Sequence, residues 1–172
     1  MRMLGCVFLF LLFVCLGVYA SNQLEKRIKQ LKSLEKAIGS MKREIDYRLS
    51  PLCETLLKTA RRTEHPWCLF LEEAGRDFQN RKEEILNPDE IFQKGIRRIQ
   101  LYHPWEKDLN VLSNLGRSLG DLDKKMQLIE LSMAEEEVRE LIQEAREEKR
   151  TKGKLYQTLG VCMGILSVIL VL

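Results

Sequence analysis

The chain has 172 residues, room for one domain of ordinary size and not for two. It is 45% hydrophobic and 31% charged, yet of its 28 Lys and Arg all but Arg2 fall between residues 25 and 154, together with all 25 Asp and Glu. That middle holds 27 basic against 25 acidic residues, a net of +2, and so lacks the concentrated basic face that a nucleic-acid partner requires.

In chain order, the first element is residues 3–20, MLGCVFLFLLFVCLGVYA, without a charge. Its 18 residues make about 27 Å of helix, close to the roughly 30 Å hydrocarbon core, and predict a membrane helix over 1–21. A second reading stays open. Arg2 can serve as a short n-region, and Val18-Tyr19-Ala20 before Ser21 resembles a signal cleavage site. Lys26, Arg27, Lys29, Lys32 and Lys36 favour retention, because such a cluster after an apolar segment tends to stay cytoplasmic.

The middle repeats its apolar residues at three and four, not at two. Leu31, Leu34, Ile38, Met41 and Ile45 form one stripe of a helix over 22–49. Ser50-Pro51 supplies an N-cap and a first-turn proline for the next helix. His65-Pro66 opens another, carrying Trp67, Leu69, Phe70, Leu71 and Phe78. Asn87-Pro88-Asp89-Glu90 is the clearest start, with a capping Asn, Pro at N1 and Glu at N3. His103-Pro104 opens a further one. From Asp121 no proline or glycine intervenes before Gly153, and the stripe reads Leu122, Met126, Ile129, Met133, then Val138, Leu141 and Ala145 after a one-residue shift. The expected fold is all-α: an antiparallel helical bundle over 22–154 between an N-terminal and a C-terminal membrane helix, with the first and last long helices side by side.

The last element, 159–172, has 14 uncharged residues, about 21 Å of helix, which on length alone also suits a buried core helix. Leu155 and Tyr156 extend its apolar surface, and Lys152 and Lys154 stand where they can snorkel to headgroups, so 155–172 is read as the second membrane helix. Lys26, Arg27 and Lys29 at one end and Lys152 and Lys154 at the other are the candidate topology determinants. They place the charged middle in the cytoplasm. Gly160 and Gly164 lie one turn apart on one helix face, a spacing that lets another backbone approach closely.

No constellation points to catalysis. The five cysteines (Cys6, Cys15, Cys53, Cys68, Cys162) show no disulfide framework, and Cys53 and Cys68 read as small core residues. With His65 they do not make a zinc spacing. His65 and His103 read as turn residues or caps before prolines. Glu72-Glu73, Glu83-Glu84 and Glu135-Glu136-Glu137 read as solvated faces. No phosphate loop or nucleophile elbow is present. No enzyme activity, metal, cofactor or small-molecule substrate is therefore expected. Glu44 and Tyr47 close the first stripe, while Asp123 and Gln127 share a face near the start of the last helix. Antiparallel packing puts both sets at one end, either as a polar link or as a partner-docking end.

Three motifs carry a resemblance: Glu44-Ile45-x-Tyr47 with Ser50-Pro51-Leu52; Leu115-Gly116-x-x-Leu119-Gly120-x-x-Asp123-x-x-x-Gln127; and Lys154-Leu155-Tyr156-x-x-Leu159-Gly160-Val161. In this order and with both apolar ends, the chain resembles the stage III sporulation protein AB family over nearly its whole length. The family is similar in its soluble part to the helical domains of the type II secretion F-type platform protein. The resemblance implies a component of the channel between mother cell and forespore, seated in the mother-cell membrane around the forespore. Its implied partners are the products of the same sporulation operon, a secretion-type ATPase among them. Residues 61–78, rich in aromatic and charged side chains, match no motif of that family. A different class stays open: an extracytoplasmic helical structural protein whose signal peptide is cleaved.

Overall fold

A computed structural model describes residues 2–48, 50–80, 87–118 and 123–171, with the side chains of 2–10, 118, 157, 160, 164, 167, 168, 170 and 171 outside that description. The described residues form six helices and no strand: α1 (Arg2–Arg48), α2 (Leu52–Ala60), α3 (Trp67–Asn80), α4 (Pro88–Ile99), α5 (Glu106–Ser118) and α6 (Lys124–Val171). The all-α expectation holds. Among the described residues no helix is long and apolar enough to cross a membrane. Both apolar segments are helical, one within α1 and the other within α6, and part of each falls outside the described side chains.

The prolines act as the sequence implies. Pro88 occupies the first turn of α4, and the Asn87 backbone N–H donates to Glu90 Oε2 at 3.4 Å, the returning arm of a capping box. Pro51 takes the N-cap position of α2, one residue later than the Ser50 cap expected, and its carbonyl accepts from the Thr55 N–H at 3.0 Å. Pro66 directly precedes α3, behind a cis His65–Pro66 bond, and Pro104 lies just ahead of α5.

The chain divides into two units, residues 30–142 and residues 1–29 with 143–172. In the first, the stripe Leu31, Leu34, Ile38, Met41 and Ile45 is buried throughout, as its spacing predicts. Also buried in this unit are Leu56 of α2, Trp67, Phe70 and Leu71 of α3, Ile91, Phe92 and Ile99 of α4, and Leu109, Val111 and Leu112 of α5. Helices α3, α4 and α5 stack through one aromatic centre. Phe92 meets Phe70 edge-on at 5.3 Å and Phe78 at 6.1 Å. Gly116 lets α5 approach, since a Cβ there would lie 2.5 Å from Phe92 Cβ. Two of the six residues of the second motif thus have a packing cause: Leu115 is core and Gly116 is the contact. Leu119 and Gly120 lie outside the described residues.

Within this unit α1 and α6 run antiparallel, tied by Lys42–Glu135 at 2.7 Å, Arg139–Glu35 at 2.9 Å and Lys124–Asp46 at 3.4 Å. The α6 stripe needs correction. Its inward face is Leu131, Ala134, Val138, Leu141 and Ile142, whereas Met126, Ile129 and Met133 are exposed by 42%, 42% and 63%. The helix carries two apolar faces, and the one-residue shift in the pattern marks the passage from one to the other. Leu122 lies outside the described residues. Cys53 and Cys68 are free and half-buried, rimming the core instead of filling it.

In the other unit α1 and α6 also run antiparallel. Arg27 Nη1 donates to Glu148 Oε2 at 2.9 Å, Lys149 pairs with Glu25 at 3.3 Å, and Gly153 leaves room for Ser21, whose Oγ would be 3.4 Å from an added Cβ. Leu24, Ile28 and Ala145 are buried between the two helices.

Candidate functional site

The proposed polar end takes shape around Glu44, whose carboxylate is buried. Arg48 Nη1 stands 3.6 Å from Oε1 and Lys58 Nζ 3.9 Å from Oε2. Oε2 has no hydrogen bond among the described residues. Tyr47 is 82% exposed. Asp123 caps α6: its Oδ1 accepts from the Met126 N–H at 2.9 Å and its carbonyl from the Gln127 N–H at 3.0 Å. Lys124, the first helical residue, donates to the Asp46 carbonyl at 2.7 Å. The end of the α1 stripe and the start of α6 therefore meet, with Lys124 and Asp46 carrying the described contact. Tyr47 and the outward stripe Met126, Ile129 and Met133 are left facing solvent on these same two segments. Three apolar side chains at i, i+3 and i+7, two of them methionines, form the kind of adaptable face that partner helices use.

The candidate topology determinants split into two kinds. Lys26 is exposed, and Lys29 reaches Glu25 at 3.2 Å across one turn. Arg27, by contrast, is only 3% exposed, buried against Glu148. It is a packing residue as much as a surface charge, and its burial follows from one face of α1 turning toward α6. Lys152 donates to Glu148 Oε1 at 2.6 Å, and Lys154 is exposed. Glu148 is thus shared by two cations, Arg27 and Lys152. Its carboxyl is held below the ordinary range, first by the Lys152 hydrogen bond and then by the Lys152 and Arg27 charges, against the opposing effect of burial. A folded-state value below the unfolded one stabilises above the ordinary carboxylate range and is lost as pH falls through the folded value. Glu148→Gln should therefore lower the thermal midpoint at pH 7, with the gap to the parent closing below about pH 4. A gap that persists unchanged at pH 3 would assign the effect to packing and not to charge.

Gly160 and Gly164 fall within α6, but their surroundings lie outside the described residues. Of residues 61–78, those from Trp67 onward belong to the amphipathic helix α3: Trp67 and Phe70 are buried, and Glu72, Glu73, Arg76 and Asp77 line a depression of about 180 Å³ between α3 and α4. There Arg98 pairs with Glu73 at 2.9 Å and Lys94 with Asp77 at 2.8 Å. The Glu73 hydrogen bond lifts the Arg98 guanidinium above its usual value. This groove neutralises itself. Glu135 likewise serves Lys42 and Arg139, so the carboxylate runs that are described are salt-bridging faces. Glu83 and Glu84 lie outside the described residues.

One cluster was not legible in the sequence. His103, fully buried, brings Nδ1 within 2.8 Å of Gln30 Oε1 and Nε2 within 2.9 Å of Asp108 Oδ2, itself fully buried. Trp67 and Trp105 flank the ring at 4.7 and 5.0 Å. Trp67 Nε1 donates to the Gln30 carbonyl at 2.7 Å, and Gln30 Nε2 to the Tyr102 carbonyl at 3.5 Å. With the amide nitrogen committed to a carbonyl, Gln30 Oε1 accepts from His103 Nδ1–H, and Nε2 lies against the Asp108 carboxylate. The cluster locks the α4–α5 turn onto α1. It is closed to solvent and offers no path for a substrate. Among the described residues no group of His, Cys, Asp and Glu is placed to hold a metal.

With this geometry in hand, comparison with known proteins is direct. The model of the family Stage III sporulation protein AB matches residues 2–172. A solved structure titled Stage III sporulation protein AB superposes with a TM-score of 0.62 at 17% identity, covering 72% of this chain and 96% of the other. At that identity the superposition speaks for the fold. Among curated protein sequences none matches the chain.

Proposed function

The chain belongs to the stage III sporulation protein AB family and is a sporulation-related protein, and on that footing we propose that it is a non-enzymatic, membrane-anchored adaptor of a mother cell-to-forespore secretion-like complex. Its helical middle faces the cytoplasm from the mother-cell membrane around the forespore. Its partners are other products of the same sporulation operon, a secretion-type ATPase among them. The apolar segments 3–20 and 159–172, each edged by basic residues toward the middle, support anchoring and orientation. The observation that carries the adaptor reading is the outward face of α6: Met126, Ile129 and Met133 expose apolar surface on a helix whose inward face is already satisfied by the bundle.

The test separates docking from folding. Ile129→Glu with Met133→Glu replaces exposed side chains only, so the variant should keep its helix content and its unfolding free energy within about 0.5 kcal/mol of the parent. In a spore-forming host it should accumulate in the membrane fraction, lose capture of its operon partners, and arrest forespore development after engulfment. A variant that accumulates, captures partners and sporulates like the parent would refute docking through this face.

A further inference from the structure

In residues 1–29 with 143–172, four basic side chains are answered by a carboxylate. Arg27 and Lys152 share Glu148 at 2.9 and 2.6 Å, and Lys29 and Lys149 share Glu25 at 3.2 and 3.3 Å. Arg146, Arg150 and Lys154, like Lys26, have no such pair among the described residues, but the three stand together. They repeat at every fourth position on one face of α6, and among the described residues no carboxylate pairs with any of them. Like charges at i, i+4 repel, so an uncompensated run of three is an arrangement that an anion would relieve. The face is not flat. Together with Lys149, Gly153 and Ser21 of α1, these side chains line a depression of about 320 Å³, within the roughly 300–1,000 Å³ of small-ligand sites. Gly153 keeps its floor free of a side chain where Ser21 comes close.

We propose that Arg146, Arg150 and Lys154 form a site for a phosphate-bearing anion, and that the source of the phosphate is the headgroup of an anionic phospholipid. The lipid source rests on the membrane-anchored reading above. Ser21 directly follows the apolar run 3–20 and Lys154 directly precedes 155–172, so anchored segments set the depression at headgroup depth. Guanidinium groups offer paired N–H donors that match phosphate oxygens, and the Lys154 ammonium adds a point charge. The glycerol and acyl part of the lipid then has apolar helix surface at Leu155 and Tyr156 to lie along, Leu155 being 54% exposed. The site would hold the two helix ends in place by supplying the charge that the protein omits.

The experiment measures equilibrium binding of tail-labelled phosphatidylglycerol to the full chain in neutral detergent, with unlabelled phosphatidylglycerol, phosphatidylcholine and inorganic phosphate as competitors. Arg146→Gln with Arg150→Gln should weaken binding roughly thirtyfold, from about 1 kcal/mol per basic residue. Lys26→Gln with Lys32→Gln, the same charge loss at exposed positions, should change it less than threefold. Arg146→Lys with Arg150→Lys keeps the charge and should recover part of the loss, which keeps the test informative if the Gln pair fails to fold by circular dichroism. Competition by phosphatidylglycerol alone identifies the lipid as the ligand. Competition by inorganic phosphate at comparable concentration supports the phosphate site and moves its source to solution. Equal competition by phosphatidylcholine, or equal loss in both Gln pairs, overturns the proposal. The same chain, expressed in cells and scored for membrane sedimentation, tests anchoring separately.

Discussion

Phe92→Ala should cost about 3–5 kcal/mol, the range for emptying a large aromatic from a packed core. Phe92 is fully buried, and its ring is the one that α3, α4 and α5 share: Phe70 and Phe78 meet it edge-on at 5.3 and 6.1 Å, and Gly116 lies against its stem. Three helices of 12 to 14 residues each cannot close over the gap without moving as bodies. A void is left, and the edge-to-face pairs, worth about 0.5–1.5 kcal/mol beyond area, go with it. Phe92→Leu keeps most of the apolar volume and should cost less than half as much. The measurement is chemical denaturation of the full chain, with the slope unchanged so that the midpoint reports stability. A loss below about 1 kcal/mol for the Ala variant would mean that these helices do not share this centre.

Much of this architecture can be read from the chain because its signals are local. Each proline lies at or just before a helix start, since a missing N–H costs least there, and the order of elements follows. The α1 stripe was legible because one face of it alone is apolar and that face is buried. The α6 stripe misleads at its beginning for the opposite reason: the helix has two apolar faces, and periodicity cannot tell which one the bundle covers. Arg27 illustrates a related limit. Nothing in a run of basic residues distinguishes the one whose side chain turns inward to Glu148, because the choice is made by a partner 121 positions away. The uncompensated face of Arg146, Arg150 and Lys154 is visible as a spacing, yet its lack of counter-charge depends on where Glu25 and Glu148 are spent.

The His103 cluster takes that limit furthest. A histidine before a proline reads locally as a turn residue, and His103 does sit in a turn, but its energetic role comes from Gln30 and Asp108. Asp108→Ala should be the most costly polar change in the chain, about 3–5 kcal/mol, because a buried pair broken from one side leaves the other group desolvated and unanswered. Here that group is His103 Nε2, enclosed by Trp67 and Trp105 with no water-facing side to turn to. The distinctive expectation lies in the double mutant. His103→Ala alone takes from the buried Asp108 carboxylate its imidazole partner; with both removed, neither side of the contact is left facing a gap, and the remaining cost is mainly that of cavity and packing. The double variant should therefore lose at least about 1.5 kcal/mol less than the sum of the single losses. Additive losses in that cycle would show that His103 and Asp108 contribute as separate fillers of space, and that their contact does not hold the α4–α5 turn to α1.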